Sequence, residues 1–213
     1  MSTLAYAEHD AVELVRQLFL AGSDTTTTSL YWALLYMVMY PEIQEQVQEE
    51  LDTVLGSSTS ICYEDRKILP FTNAVLHETQ RHSSPNAVGT VHTCSRDTTI
   101  RGFPVSKGTI VLPNLFSVHY DPEKWETPRR FNPGHFLDKD GNFVNKDAFL
   151  IFMAGVRMCL GEKMARVTLF ISFATLLKTF RFRLPEGVKE INVERLPGII
   201  AQPQPFKICA VPR

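Results

Sequence analysis

The stretch Phe152-Met153-Ala154-Gly155-Val156-Arg157-Met158-Cys159-Leu160-Gly161 leads into a strongly helical segment, Gly161–Phe180. Gly155 permits a tight backbone turn, and Cys159 then falls just before the start of the helix. The free N–H groups and the dipole of that helix would stabilise a thiolate, and Arg157 offers a guanidinium fork for a carboxylate. A lone cysteine is, however, more often a buried and inert side chain. The stretch by itself leaves both interpretations open.

The composition is that of an ordinary globular protein. The chain has 213 residues, with 22 Lys+Arg against 23 Asp+Glu and 44% hydrophobic residues. A net charge of −1 argues against a nucleic-acid-binding protein, because such proteins carry a strong basic excess. The plentiful Phe, Leu, Ile and Val argue against disorder. The four cysteines contain no Cys-x-x-Cys pair, so a zinc site built on sulfur pairs is not supported.

The sequence predicts no membrane-spanning segment in this chain. Met1–Asp10 is polar and lacks the pattern of a signal peptide. The longest apolar stretch, Leu30–Tyr40, is much shorter than the roughly 20 residues that span a bilayer. Neither the size of the chain nor its context is that of a small secreted domain, so a disulfide framework is not expected either.

Helical periodicity dominates the chain. It predicts a long helix over Asp10–Tyr40, with a weak polar centre at Ala21–Thr28 where a local kink is expected. Pro41 starts an amphipathic helix that ends at Leu55, before a loop over Gly56–Ser60. A further helix is predicted over Pro70–Arg81, with proline in its first turn.

The remaining segments predict minor β-structure. Thr98–Phe103 and Gly108–Leu112 resemble the two strands of a small hairpin. Residues 121–147 show no sustained period and predict a long ordered meander or a mobile loop. Phe182–Leu184 and Phe206–Val211 are strand-like. The expected fold class is therefore mainly α with small β hairpins, an α+β chain.

The motif over residues 152–161 fits the pattern Phe-x-x-Gly-x-Arg-x-Cys-x-Gly and resembles the heme-thiolate signature of the cytochrome P450 superfamily. Three further motifs occur in the order found in that family. Ala21–Thr26 resembles its oxygen-binding groove, Glu78-Thr79-Gln80-Arg81 its Glu-x-x-Arg motif, and Trp125–Phe136 its meander motif in the form of the animal family-2 microsomal enzymes. The resemblance covers essentially the whole chain and is to the C-terminal portion of such enzymes.

The resemblance implies that residues 1–213 form a single partial domain. This domain would be the C-terminal heme-binding part of the cytochrome P450 fold, from the central oxygen-binding helix to the C-terminus. The N-terminal half of the fold and the membrane anchor are expected to lie outside this sequence.

The cofactor implied by the resemblance is heme b, iron protoporphyrin IX. Cys159 would be the axial thiolate ligand and therefore the metal ligand. Arg157 and His92 would bind the heme propionates, although His92 could also be an ordinary half-buried histidine. Further cofactor-binding residues implied by the motifs are Phe152, Gly155, Gly161 and Ala21.

Two groups of polar residues receive roles from the resemblance. Thr25 and Asp24 would deliver protons during oxygen activation, whereas Thr25 by itself could be one of four threonines crowding a helix. Glu78, Arg81 and His135 would lock the core to the meander as structural residues. Read without the resemblance, Glu78 and Arg81 are an ion pair at helical spacing, most often solvated.

Substrate and partner residues are also expected. Candidate substrate-facing side chains are apolar or small: Leu14, Leu18, Ala21, Val88, Gly89, Ile199 and Ile200. Lys163 and Arg166 lie three residues apart on the helix that follows Cys159, where they could form a solvated basic face or dock an acidic electron donor. The resemblance makes that donor the NADPH-dependent reductase of microsomal members and implies membrane association at the endoplasmic reticulum.

The function implied is that of a heme-thiolate monooxygenase. It would insert one oxygen atom of O2 into an apolar substrate, such as a xenobiotic, fatty acid or steroid-like molecule, with electrons from NADPH through a reductase. An isomerase or a peroxide-using relative is a rival, which the Asp24-Thr25 pair disfavours. Another rival is a truncated, catalytically inactive fragment that binds heme weakly or acts only through partners.

Overall fold

The computed structural model describes residues 8–58, 60–188 and 191–213. Its first and longest element is helix α1, Glu8–Met39. The helix continues without interruption through the threonine-rich centre, where the sequence predicts a kink. The Thr25 hydroxyl donates to the Ala21 carbonyl at 2.7 Å, and the Ser29 hydroxyl donates to the Thr25 carbonyl at 2.9 Å. These bonds satisfy the hydroxyls within the helix, so β-branching does not end it.

Two proline-started helices follow. Helix α2, Pro41–Leu55, ends at Gly56, whose positive φ of 56° suits a glycine. A 3-10 helix over Tyr63–Lys67 leads into helix α3, Pro70–Ser83, which is two residues longer than the sequence predicts. The carboxylate of Glu50 on α2 accepts hydrogen bonds from the Phe71 and Thr72 amides, so it caps the start of α3.

The predicted hairpin between Thr98–Phe103 and Gly108–Leu112 is wrong. Strand β2, Thr98–Ile100, pairs instead with β3, Phe103–Val105, across a tight turn. Strand β4, Ile110–Val111, pairs with β1, His92–Thr93. The turn is Arg101-Gly102, both at positive φ, and this pair of left-handed residues closes a two-residue hairpin before Pro104 is reached.

The long segment after helix α4, Leu115–His119, is an ordered meander. It contains a 3-10 helix over Pro133–Phe136, and its aromatic side chains anchor it. Trp125 and Phe136 are buried together with Ala74 of α3. The meander is therefore held against α3 by apolar burial as well as by polar contacts.

Helix α5, Glu162–Thr179, runs into β5, Phe180–Arg183, which pairs with the C-terminal strand β6, Cys209–Pro212. The two predicted tail strands are confirmed, with bounds shifted by one to three residues, and the structure shows that they pair with each other. The main core lies between α1, α2, α3 and α5. Its fully buried side chains include Trp32, Leu35, Met37, Val47, Leu51, Phe170, Phe173 and Leu177.

The described helices do not include one that is long and apolar enough to cross a bilayer. The resulting architecture is a helix-rich α+β chain with three two-stranded antiparallel sheets in its described part, as expected from the sequence.

Candidate functional site

The Cys159 loop is shaped by unusual backbone conformations. Met153 and Gly155 have φ values of 63° and 77°, so the chain turns twice through the left-handed region. The Cys159 amide donates to the Phe152 carbonyl at 2.8 Å and closes the loop. Gly161 is the residue before α5, and a Cβ there would lie 3.9 Å from the Cys159 sulfur. The loop therefore presents Cys159 at the entrance of α5, with its side chain exposed to the adjoining cavity.

A cavity of about 700 Å³ adjoins this loop. Its volume lies within the range of roughly 300–1,000 Å³ typical of small-molecule and cofactor sites. Five parts of the fold build its wall: α1, the segment from α3 to β1, the Cys159 loop, α5 and the segment at Ile200. Predicted site residues on the wall are Ala21, Thr25, His92, Phe152, Arg157, Cys159 and Ile200.

Several predicted residues do not reach this wall. Among the proposed catalytic and cofactor residues these are Asp24, Gly155 and Gly161; among the proposed substrate residues they are Leu14, Leu18, Val88, Gly89 and Ile199. Gly155 and Gly161 are part of the loop backbone that presents Cys159, and they do not line the cavity.

The apolar candidates that miss the wall do so for identifiable reasons. Leu14 and Leu18 lie in the first half of α1 and are 52% and 51% exposed, while Ile199 is 82% exposed. Gly89 is a packing position: it has a φ of 61°, and a Cβ there would lie 3.0 Å from Pro113. A side chain is excluded at Gly89, so it serves close packing rather than substrate contact.

Asp24 and Thr25 face different surroundings although they are neighbours. Thr25 is half-buried and lines the cavity. Asp24 is exposed, and its carboxylate accepts a hydrogen bond from the Gln202 amide at 3.0 Å. Adjacent positions on a helix point about 100° apart. The geometry therefore places the hydroxyl at the cavity and the carboxylate at the solvent side.

Glu78 and Arg81 form a fully buried pair, unlike the solvated pair that their spacing alone favours. Arg81 donates through Nε and Nη2 to the two carboxylate oxygens, each at 2.7 Å. Its Nη1 donates to the carbonyls of His119 at 2.6 Å and Pro128 at 3.0 Å, and Nη2 reaches the Arg130 carbonyl at 3.2 Å. One guanidinium thus joins α3 to the meander.

His135 completes this network from the meander. The Thr127 amide donates to its Nε2 at 3.2 Å, so the ring proton lies on Nδ1. Nδ1 is 3.2 Å from a Glu78 carboxylate oxygen and donates to it, while the Asn132 amide donates to the same carboxylate at 2.8 Å. The carboxylate therefore receives donors from a helix and from the meander.

Two other buried histidines are held neutral. Burial, together with the nearby Arg166 charge, lowers the pKa of His77 to about 3. Burial and the Arg81 charge lower the pKa of His119 to about 4. The Leu150 amide donates to His119 Nε2 at 3.2 Å, so this histidine holds the irregular segment that leads into the Cys159 loop.

The two predicted docking residues differ in their surroundings. Lys163 is exposed. Arg166 is engaged: its Nε donates to Glu162 at 2.8 Å, and its Nη1 donates to His77 Nε2 at 2.6 Å. Its guanidinium also lies 4.9 Å from the Phe152 ring centre. Arg166 is thus partly fixed by the fold, and Lys163 carries the solvent-facing charge.

The cavity wall also holds residues to which the sequence analysis gave no role in the site. Polar ones are Thr26, Ser29, Gln80, Asn86 and Thr90, and Met153 is an apolar one. The Asn86 Oδ1 atom is buried without a hydrogen-bond partner in the described part of the chain. Asn86 lies in the irregular segment after α3, where no periodicity could indicate which side chains face inward.

The donor set of the cavity suits an iron porphyrin. A cysteine sulfur is a soft ligand that binds heme iron. Arg157 and His92 lie on the same wall, and both side chains can donate hydrogen bonds to carboxylates. Ile151, Leu169 and Ile200 supply apolar surface for a flat macrocycle. The residues present therefore fit heme.

Comparisons with known proteins agree with these observations. The family description of cytochrome P450 matches residues 4–210. The chain is similar to cytochrome P450 2K4 of Oncorhynchus mykiss, with 49% identity over 98% of this chain and 42% of the relative. It is 46% identical to cytochrome P450 2D16 of Cavia porcellus, over 94% of this chain and 40% of the relative. It is 43% identical to cytochrome P450 2J2 of Homo sapiens, over 99% and 42%. The chain spans about two fifths of the length of these relatives.

Proposed function

Because the chain belongs to the cytochrome P450 family, we propose that it forms the heme-binding part of a heme-thiolate monooxygenase. The observation that carries the proposal is the meeting of Cys159, Arg157, His92 and Thr25 on the wall of one cavity. They come from α1, β1 and the Cys159 loop, which are far apart in sequence. Close packing of the chain would not by itself bring a thiol, a guanidinium, an imidazole and a hydroxyl to one cavity wall, so their meeting there supports a binding site.

Cys159 would hold the heme iron as a thiolate, with Arg157 and His92 on the propionates. When bound, the heme supplies oxygen activation, and the thiolate favours O–O cleavage. The chain contributes the shape of the site. The two left-handed residues of the loop, Met153 and Gly155, together with the Cys159 amide bond to Phe152, keep the sulfur at a fixed position.

Thr25 would hold a proton at its Oγ1 on the cavity side. Its hydroxyl donates to the Ala21 carbonyl, so the oxygen lone pairs can accept a hydrogen bond from a water molecule. Asp24, at the solvent side of the helix and bonded to Gln202, would take up protons from bulk water. The two residues then form successive positions of a proton path rather than one site.

The proposed substrate is an apolar organic molecule. Ile151, Met153, Leu169 and Ile200 give the wall an apolar character. Substrates of this kind include xenobiotics, fatty acids and steroid-like molecules. Electrons would come from NADPH through a reductase that docks near Lys163, and the protein would act at the endoplasmic reticulum membrane.

A second candidate function is a catalytically inactive chain that binds heme weakly or acts through partners. The observation that favours it is apolar exposure in the first half of α1. Val12, Val15 and Phe19 are 64%, 63% and 76% exposed. A large exposed apolar surface is typical of an interaction site.

An isotope experiment separates the two candidates. The heme-loaded protein, an NADPH-dependent reductase and a long-chain fatty acid are incubated under ¹⁸O2. The monooxygenase proposal predicts a product that carries one ¹⁸O atom, and its loss in Cys159→Ser. Heme uptake without any labelled product, from this acid and from a panel of apolar alternatives, would support the inactive chain.

A further inference from the structure

A second cavity, of about 550 Å³, lies on another side of α3 and α5. It shares no wall residue with the cavity at Cys159. The 3-10 helix over Tyr63–Lys67, the first turns of α3, the loop at residues 142–145 and the first turns of α5 enclose it. We propose that this cavity binds a small phosphate-type oxyanion, either inorganic phosphate or a phosphate monoester.

Positive charge predominates on the described wall. It carries Arg66, Lys67 and Arg166 against the carboxylate of Glu162. Glu162 is paired with Arg166 Nε at 2.8 Å. Glu64, which is not on the wall, pairs with Lys67 at 2.6 Å and with Arg66 Nη1 at 3.2 Å, but it is 62% exposed, so solvent screens its charge. The cavity therefore keeps a positive potential that favours an anion.

Asn73 provides an uncharged donor inside this cavity. The residue is only 8% exposed, and it lies on the wall. Within the described part of the chain no group is hydrogen-bonded to its side-chain amide, and the amide is not sealed from solvent. The amide nitrogen can therefore donate a hydrogen bond to an oxyanion in the cavity.

Arg166 is already oriented for a ligand. The His77 Nδ1 proton is donated to the Asn73 carbonyl at 2.8 Å, so His77 Nε2 accepts from Arg166 Nη1. Together with Glu162, this contact fixes two of the three guanidinium nitrogens. Nη2 has no partner among the described residues, and it can donate to an anion with little further loss of side-chain freedom.

The ligand class follows from these donors. Two guanidinium groups, an ammonium group and a neutral amide line a space larger than a single ion. Tetrahedral oxyanions accept from several donors at once, and Arg and Lys are the usual phosphate-binding side chains. The start of α3 contributes nothing further, because the Glu50 carboxylate already accepts from its first amides.

The test uses the full chain and inorganic phosphate as the probe. Isothermal titration and ³¹P line broadening are recorded at constant ionic strength set with sodium chloride. We expect saturable binding that becomes about tenfold weaker or more in Arg66→Gln/Lys67→Gln, since charge-assisted hydrogen bonds are lost. Lys67→Gln alone, at a 67% exposed side chain, gives a smaller loss without a risk to folding. Lys107→Gln, at an exposed residue outside the cavity, is the control.

Glycerol phosphate separates the two sources of the anion. Binding with the same dependence on Arg66 and Lys67 assigns the site to phosphate monoesters, whereas binding of inorganic phosphate alone assigns it to the free ion. Both results support an oxyanion site. Phosphate binding that does not saturate, or that is equal in the wild type, Lys67→Gln and the double variant, overturns the proposal. The heme assignment is unaffected by either result, because no wall residue is shared.

Discussion

Arg81 donates two hydrogen bonds of 2.7 Å to the carboxylate of Glu78, and neither side chain has any exposed surface. The same guanidinium binds three backbone carbonyls, from α4 and the meander. Burial of two charges is costly unless they are paired and fully hydrogen-bonded, and here they are. The pair thus fixes α3 against the segment that leads to the Cys159 loop.

Arg81→Ala should destabilise the protein strongly. It leaves the Glu78 carboxylate buried without its main partner, which typically costs about 3–5 kcal/mol. Urea unfolding followed by circular dichroism measures the loss. The matched control is Arg16→Ala, because Arg16 pairs with Glu13 at the same spacing but in solvent. No measurable change is expected there, and equal losses in both variants would contradict the account.

Acid should weaken the fold through His77 and His119. Their folded-state pKa values, about 3 and about 4, lie below the ordinary value of 6.5. Between these values the unfolded chain binds more protons than the folded chain, so stability is lost as the pH falls from about 6.5 towards 4. The free energy of unfolding measured by urea titration at several pH values reports this slope.

His77→Gln provides the comparison for that slope. Glutamine can keep a donor and an acceptor near Asn73 and Arg166 but does not titrate. We expect a lower stability at pH 7 and a shallower pH dependence than in the wild type. A variant with the same slope as the wild type would show that His77 does not contribute to the acid sensitivity.

Thr25→Ala should uncouple electron use from product formation in the heme-loaded protein. The cavity-facing hydroxyl is lost while the wall remains, so heme binding should persist. We expect about tenfold less product per NADPH and more hydrogen peroxide, because positioned proton donors contribute roughly 10²–10⁴ in rate. Thr25→Ser retains the hydroxyl and should stay coupled. Equal coupling in the alanine and serine variants would show that the Thr25 hydroxyl has no part in proton delivery.

Lys163→Glu should slow the first electron transfer from the reductase. Lys163 is exposed on the first turn of α5, and charge reversal removes attraction for an acidic donor, by on the order of tenfold at low salt. Stopped-flow reduction rates measure the effect. Salt should slow the wild type more than the variant, and Lys107→Glu should behave as the wild type. Reduction rates that change neither in Lys163→Glu nor with ionic strength would show that the donor docks elsewhere.

Arg166 is a poorer choice for the same test. Its bonds to Glu162 and His77 mean that Arg166→Glu changes packing as well as surface charge. In the sequence, Lys163 and Arg166 differ only in their positions on the same helix. The tertiary contacts show that Lys163 is exposed and that Arg166 is held by its neighbours.

The sequence predicted the long helices well because their apolar periodicity and proline starts are local signals. Pro41–Leu55 is confirmed residue for residue, and α1 and α5 begin and end within two residues of expectation. Strand pairing was less predictable, since it depends on partners distant in sequence. Strand β4, for example, pairs with β1, whereas the sequence predicted that it would pair with Thr98–Phe103.

The cavity was predictable where motifs mark it and not elsewhere. The motifs at Ala21–Thr26 and Phe152–Gly161 supply five of the wall residues that were named in advance. The sequence did not predict correctly whether the apolar candidates Leu14, Leu18 and Ile199 line the cavity, because hydrophobicity does not indicate which face of a helix or loop meets it. Asn86 and Thr90 carried no signal at all, since polar residues in irregular segments are common.

The most direct test of heme-thiolate ligation is the spectrum of the reduced, carbon-monoxide-bound protein. Wild type, Cys159→Ser and Cys62→Ser are each loaded with heme and recorded under the same conditions. We expect a Soret band at the position typical of thiolate ligation for the wild type and for Cys62→Ser, because Cys62 is exposed on another segment. Cys159→Ser should lose that band. A thiolate-type band retained in Cys159→Ser would contradict the assignment of Cys159 as the heme ligand.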